Sequence, residues 1–258
     1  IGSFFLILRI SYFFKFSKIC VIILLKMTKA EVKMEIKPIA KIINDYDSKF
    51  AVPRQSGLVN EIKSTIVFEK EYADESAFKR IEEFSHLWLI WEFSLNSHPS
   101  NSLTVRPPRL GGNEKVGVFA TRSPFRPNPL GLSSVKLEAV EKDESGKIIL
   151  VVSGADLVSG TPIYDIKPYI TFSDCHPDAI SGFAEEKNGA KLNVEIDDEL
   201  LHNIEADKQH TLKEILADDP RPAYHEDGRQ YGFRFAGKEI KFKVNNNILT
   251  VTEISDGK

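Results

Sequence analysis

Between residues 105 and 133 the chain reads VRPPRLGGN and then GVFATRSPFRPNPLGLS, with four arginines set among five prolines and four glycines. Prolines pre-order a loop and reduce the entropy lost on binding, while planar guanidinium forks match the paired oxygens of phosphates and carboxylates. From residue 102 to 136, Arg106, Arg109, Lys115, Arg122, Arg126 and Lys136 stand against Glu114 as the one acidic residue. A patch of this kind suits an RNA backbone. The competing reading has these arginines buttress their own loops through carbonyls and acidic partners. A second cluster, ADLVSGTPIYDIKPY at 155–169, carries Asp156 at a strand end. Asp165, Lys167 and Tyr169 then alternate, which puts three polar groups on one face of a strand, where they line a pocket or form a structural ion pair. At 218–228 the stretch DDPRPAYHEDG holds Arg221, Tyr224 and His225 on a rigid turn. Stacking and a charged contact there would suit an exposed nucleotide.

The elements that must position these groups are short strands. EIKPIAKIIND predicts a strand with a proline near its start, hence an outer one. TIVFEKEY predicts the next, and between them Pro53, Arg54 and Gln55 form a donor-rich tip that reads equally as a solvated turn. Residues 84–93 are apolar on both alternating faces, as in a buried strand. His86 lies at its edge and reads as a hydrogen-bonded structural residue. Two strands follow the arginine loops, joined near 143–146, where Gly146 supplies the positive φ of a hairpin turn. Alternating strand and helix units are missing, so the fold class is mainly β, a small barrel or strongly bent antiparallel sheet over residues 34–180. Residues 181–258 read as a smaller α+β domain packed on the first. It holds an amphipathic helix ending near Asp218, stopped by Pro220 and Pro222, and then short strands.

The totals narrow the function classes. The chain has 258 residues, 42% hydrophobic and 28% charged, enough for one fair-sized domain or two small ones. Lys and Arg number 34 against 37 Asp and Glu, so RNA binding has to rest on the local basic surface. Cys20 and Cys175 match no chelating or redox spacing, which predicts a cytoplasmic protein with no metal centre. GxGxxG after a strand, GxxxxGK[ST], HExxH and GxSxG do not occur, which removes the ordinary Rossmann reading. Residues 1–27 are apolar but interrupted by Arg9, Lys15, Lys18 and Lys26, a poor membrane span. Residues 1–33 are therefore read as an extraneous extension, with an amphipathic anchor as the alternative and no membrane partner expected.

KFAVPRQSGLV, FSHLWLIWEF, VRPPRLGG, GVFATRSPFRPNPLGLS, LVSGTPIYDIKPY and DPRPAY together resemble the TrmO/YaeB (TsaA-like) family, across residues 49–224. The resemblance implies a β-barrel methyltransferase distinct from the Rossmann type, working as a homodimer. Its implied reaction is N6-methylation of threonylcarbamoyl-adenosine at position 37 in the tRNA anticodon loop, with S-adenosyl-L-methionine as cofactor. By resemblance the cofactor lies against Pro53, Arg54, Gln55, Arg122, Leu132 and Asp156, with Ser94 and Leu95 where the buried strand emerges.

A carbamoylated N6 is a poor nucleophile, because its lone pair is delocalised into both the purine and the carbonyl. Removing its proton, or stabilising charge on the carbamoyl oxygen, would help attack on a sulfonium methyl. Asp165 or Tyr169 is expected to manage the proton, and Lys167 or Arg122 to meet negative charge. Arg106, Arg109 and Arg126 are expected to attract the RNA backbone, and Arg221 and Tyr224 to present the anticodon loop. Two rival readings are a non-enzymatic RNA-binding module and a methyltransferase of the same barrel type acting on another anionic substrate.

Overall fold

The computed structural model describes residues 34–50, 52–96, 102–107, 110, 114–185, 191–221 and 227–257. The expected extension at 1–33 lies outside them, as do Cys20, Arg109, Tyr224 and His225. Pro38–Lys258 forms one compact unit.

The first part is a barrel. In chain order its strands are β1 (Ala40–Ile43), β2 (Lys63–Phe68), β3 (His86–Glu92), β4 (Thr104–Val105), β5 (Val116–Gly117), β6 (Leu130–Lys142), β7 (Ile148–Ser153) and β8 (Pro162–Pro168). Six of them close in the order β1-β2-β7-β6-β3-β8, every pairing antiparallel, while β4 and β5 make a separate ribbon. The expectation of an outer strand at the start is corrected here, since β1 pairs with β2 on one side and β8 on the other. Pro38 precedes the first paired residue, so the ladder loses no donor to it.

Side chains alternate in and out with the period of two that a pleated strand imposes. Ile42, Ile66, Leu87, Leu89, Leu150, Val152 and Ile163 are buried in the barrel core. Burying each such side chain contributes about 1.5–3 kcal/mol. In β3 the two apolar faces have separate fates. Leu87, Leu89 and Trp91 point inward, whereas Trp88 and Ile90 stay half-buried on the other face. The β6–β7 turn forms as expected, with Gly146 at φ 80° and the Asp143 carboxylate accepting from the backbone N–H of Ser145 and Lys147, both at 2.9 Å.

The second part is a four-stranded sheet. Its strands are β9 (Asn193–Glu195), β10 (Gln230–Phe235), β11 (Lys238–Asn245) and β12 (Ile248–Asp256), in the order β10-β11-β12-β9. A helix over Gln209–Ala217 buries Leu212, Ile215 and Leu216 in the core it shares with this sheet, and it ends at Asp218 as expected. Tyr46 and Ile62, from the chain linking β1 to β2, enter the same core, so the smaller domain does pack on the barrel.

Candidate active site

A cavity of about 570 Å³ lies where the end of β3, the start of β6, the β1–β2 connection and the β7–β8 connection meet. Its wall includes Pro53, Arg54 and Gln55 from the first connection and Ser94 and Leu95 beyond β3. Arg122, Leu132 and Asp156 complete the set expected for the cofactor, so residues spread over a hundred positions face one space. Pro53–Gln55 is thus a wall of a cavity instead of a free turn. Trp91, Phe93 and Leu130 supply an apolar side.

Among the described residues the cations of this wall are oriented by hydrogen bonds to uncharged oxygens. Arg54 Nη2 donates to the carbonyl of Asp219 at 2.6 Å, Arg122 Nη1 to the Gln55 amide oxygen, and Arg126 Nη1 to the Thr121 carbonyl at 3.2 Å. Lys49 Nζ donates to the Leu95 carbonyl at 2.5 Å and to Asn96 Oδ1 at 2.7 Å, fixing the chain after β3 beside the cavity. Each of these acceptors is an uncharged oxygen, while the charge of Arg122 acts on the Asp156 carboxylate without a hydrogen bond between them among the described residues.

Two carboxylates line the cavity, and their environments differ. Glu92 accepts a 2.5 Å hydrogen bond from the Tyr164 hydroxyl, which pushes that phenol's pKa up to about 12. Asp156 accepts from the Ser133 hydroxyl at 2.5 Å. Burial pushes the Asp156 carboxyl above its usual range, against hydrogen bonds from Ser133 and from the backbone N–H groups of Asp156 and Ser56, and against the charge of Arg122.

Asp165, Lys167 and Tyr169 lie elsewhere. Asp165 and Lys167 pair across the ladder with Ile90 and Trp88, on the face of β3 away from the barrel core. Lys167 Nζ bonds Asp165 Oδ2 at 2.8 Å, and both side chains are substantially exposed. Tyr169 follows β8, its ring tilted against Trp88 at 5.4 Å and His86 at 6.2 Å. Its phenol is raised by desolvation first and then by Cys175 and Asp174. His86 itself is exposed, with Nδ1 3.0 Å from the Ser85 hydroxyl. Of the three expected catalytic residues, Lys167 alone lines a smaller hollow of about 300 Å³ beside Ser173, Asp174 and His176. Trp88 and Leu132 belong to both walls, so the two spaces adjoin.

Of the residues expected to touch RNA, the three that are described, Arg106, Arg126 and Arg221, are dispersed. Arg106 is exposed after β4, and Arg126 lines the main cavity. Arg221 is buried, with Nε and Nη2 on the two oxygens of Asp219 at 2.7 and 2.8 Å and Nη1 3.3 Å from Asp227. Its fork is spent on the protein's own carboxylates. Trp88, Trp91, Gly131, Ser133 and Asp219 also shape this site, although nothing in the sequence alone singles them out. Trp88, Trp91, Gly131 and Ser133 come together through the pairing of β3 with β6, whose partners lie about forty residues apart or more, and Asp219 joins through its carbonyl bond to Arg54.

The residues present fit the expected cofactor. The volume falls within the range of about 300–1,000 Å³ for small-molecule sites. An apolar wall suits a purine, the guanidinium groups suit a carboxylate, and Asp156 suits a cationic or N–H donor group. Among the described residues no group of three or more His, Cys, Asp or Glu is placed to hold a metal ion, and no helix is long and apolar enough to cross a membrane.

Comparison with known proteins gives consistent matches. The family description tRNA-methyltransferase O N-terminal domain matches residues 41–175, and the TrmO C-terminal domain matches residues 189–257. The tRNA (adenine(37)-N6)-methyltransferase of Escherichia coli is 40% identical, covering 82% of this chain and 94% of that protein. The human protein of the same name is 38% identical over 58% of this chain and 33% of its own length. A crystal structure of TrmO from Pseudomonas aeruginosa superposes with a TM-score of 0.70 and 30% identity, over 89% of this chain and 100% of that one.

Proposed function

The chain belongs to the TrmO family of S-adenosylmethionine-dependent tRNA methyltransferases, and from that premise we propose that it methylates N6 of threonylcarbamoyl-adenosine 37 in the tRNA anticodon loop. The observation that supports this reading best is the cavity itself, where Arg54, Arg122 and Arg126, hydrogen-bonded to uncharged oxygens, stand beside Asp156 and an apolar wall. S-adenosylmethionine, when bound there, supplies an electrophilic methyl group. Pro53, Gln55, Ser94, Leu95 and Leu132 shape its seat, Asp156 takes a donor group, and Arg54 or Arg122 takes a carboxylate.

The modified adenosine would enter from the adjoining hollow, past Trp88 and Leu132. Lys167, on that wall, is placed to meet the threonyl carboxylate or the charge that develops on the carbamoyl oxygen. Asp165, held against Lys167, is the better of the two expected proton acceptors, because the raised phenol of Tyr169 keeps its proton at neutral pH. Alignment of nitrogen and methyl group supplies the remaining rate gain. Arg106 and Arg109 would add backbone attraction. The chain would act in the cytoplasm as a homodimer; the exposed side chains of Phe172 and Ile180 favour a partner copy.

Methyl transfer from labelled S-adenosylmethionine to threonylcarbamoylated and to unmodified tRNA tests the reading. Transfer confined to the modified tRNA is expected, and equal or absent transfer to both refutes it. Asp165→Asn, Lys167→Ala and Tyr169→Phe should each lower turnover, and unchanged turnover in all three removes the assigned proton chemistry. Light scattering at micromolar concentration checks the dimer.

A further inference from the structure

We infer that Trp91 and Ser133 are positioning residues that hold Asp156 as a hydrogen-bond acceptor turned to the cavity. The inference rests on the reading above only in naming S-adenosylmethionine as the ligand that Asp156 meets. An indole N–H donates and never accepts. Trp91 Nε1 donates to Ser133 Oγ at 2.9 Å, and both residues are buried. With a lone pair of Ser133 taken by that donor, its single hydroxyl proton is free to go to Asp156 Oδ1 at 2.5 Å. Chemistry thus fixes the direction of the chain, Trp91 to Ser133 to Asp156, and makes Asp156 the acceptor at its end. An ionised carboxylate has about four lone-pair sites, so acceptor capacity remains for a ligand.

The sheet builds this device. The β3–β6 register sets Trp91 opposite Gly131 and Leu89 opposite Ser133. A Cβ at 131 would lie 2.3 Å from Cε2 of the indole, so the ring covers a backbone position that glycine alone leaves open. Phe93 meets the same ring edge-on, with centroids 4.4 Å apart, and confines it from a second direction. Held this way, the indole keeps the Ser133 hydroxyl from turning away from Asp156.

The relay has a measurable electrostatic consequence. Burial raises the Asp156 carboxyl, and the Ser133 bond is the leading opposing influence. The other groups around Asp156 are Arg122, the backbone N–H of Ser56 and the phenol of Tyr46, whose own pKa is raised by burial and then by Asp156. Lys49, Arg54, Arg126 and Glu92 stand on the cavity wall. Removing the Ser133 hydroxyl leaves all of these in place and withdraws one donor that favours the charged form, so Asp156 should hold its proton to higher pH.

Two readouts test this in the full-length protein: the Asp156 carboxyl followed by carbon-13 NMR without ligand, and S-adenosylmethionine affinity by calorimetry from pH 5 to 8.5. Asp156→Asn identifies both the resonance and the acidic limb of binding. Ser133→Ala should move the carboxyl titration and the limb upward together, with affinity up to about tenfold lower on the acidic side of both titrations. Trp91→Phe should shift the titration less, in the same direction, and should add nothing in the Ser133→Ala background. A titration unmoved by Ser133→Ala, or a Trp91→Phe effect equal in both backgrounds, overturns the relay. If the titration moves as expected while even the wild type fails to bind S-adenosylmethionine, the relay stands and the proposed function falls.

Discussion

Replacing Arg221 by alanine separates two roles for the DPRPAY segment. Its side chain is 5% exposed, against 21% for Asp219 and 57% for Asp227. Truncation therefore withdraws the guanidinium fork from the Asp219 carboxylate in a largely enclosed site, whereas Asp227 recovers water. Breaking a fully buried pair by removing one partner costs about 3–5 kcal/mol, and the partial exposure of the two acids places this case below that range, about 2–3 kcal/mol. Asp219 also holds a left-handed backbone at φ 54°, which the paired side chain helps to retain. Its carbonyl anchors Arg54 of the cavity at 2.6 Å, so the loss should also weaken S-adenosylmethionine binding a few-fold. Arg221→Lys keeps the charge without the two-pronged fork and should cost about 1–2 kcal/mol. Urea unfolding with an unchanged m value measures both. If Arg221→Ala unfolds at the wild-type midpoint while tRNA affinity drops, the side chain serves the RNA and the clamp reasoning is refuted.

Gly131→Ala should cost about 1–3 kcal/mol by overpacking, because the indole of Trp91 must move by more than an ångström; urea midpoints within error of the wild type would contradict the close approach. Burial raises Asp156 in the folded protein, so this group's contribution to stability falls as pH rises from its ordinary value of 3.8 through the raised one. Asp156→Asn should accordingly be more stable than the wild type at pH 7, with a gain that fades toward pH 4 in pH-dependent thermal melts. Arg106→Ala should weaken tRNA binding uniformly across sequences and reduce the salt slope by about one, as seen in filter binding at several salt concentrations.

The local chemistry of the chain determined its elements. Alternation in residues 84–93, the Gly146 turn and the helix stopped before Pro220 follow from side-chain period and backbone restriction, which act over a few residues. The charge excess on the arginine loops was equally legible, since it is a matter of composition. Position in space was not. Pro38 suggested an outer strand because a proline lacks a donor, but β1 begins after it and barrel closure gives that strand two neighbours. Arg221 looked like a ligand contact because it shares a rigid turn with Tyr224, yet Asp219, two residues away, takes its fork. Asp165 and Lys167 share a face as their spacing demands, but only the pairing with β3 places that face on the outside of the barrel. The relay through Trp91, Ser133 and Asp156 exists because antiparallel pairing and a close indole–glycine contact join distant segments. Period and propensity decide which way a side chain points from its own strand. What it meets there depends on closure and register, which only the assembled tertiary structure sets.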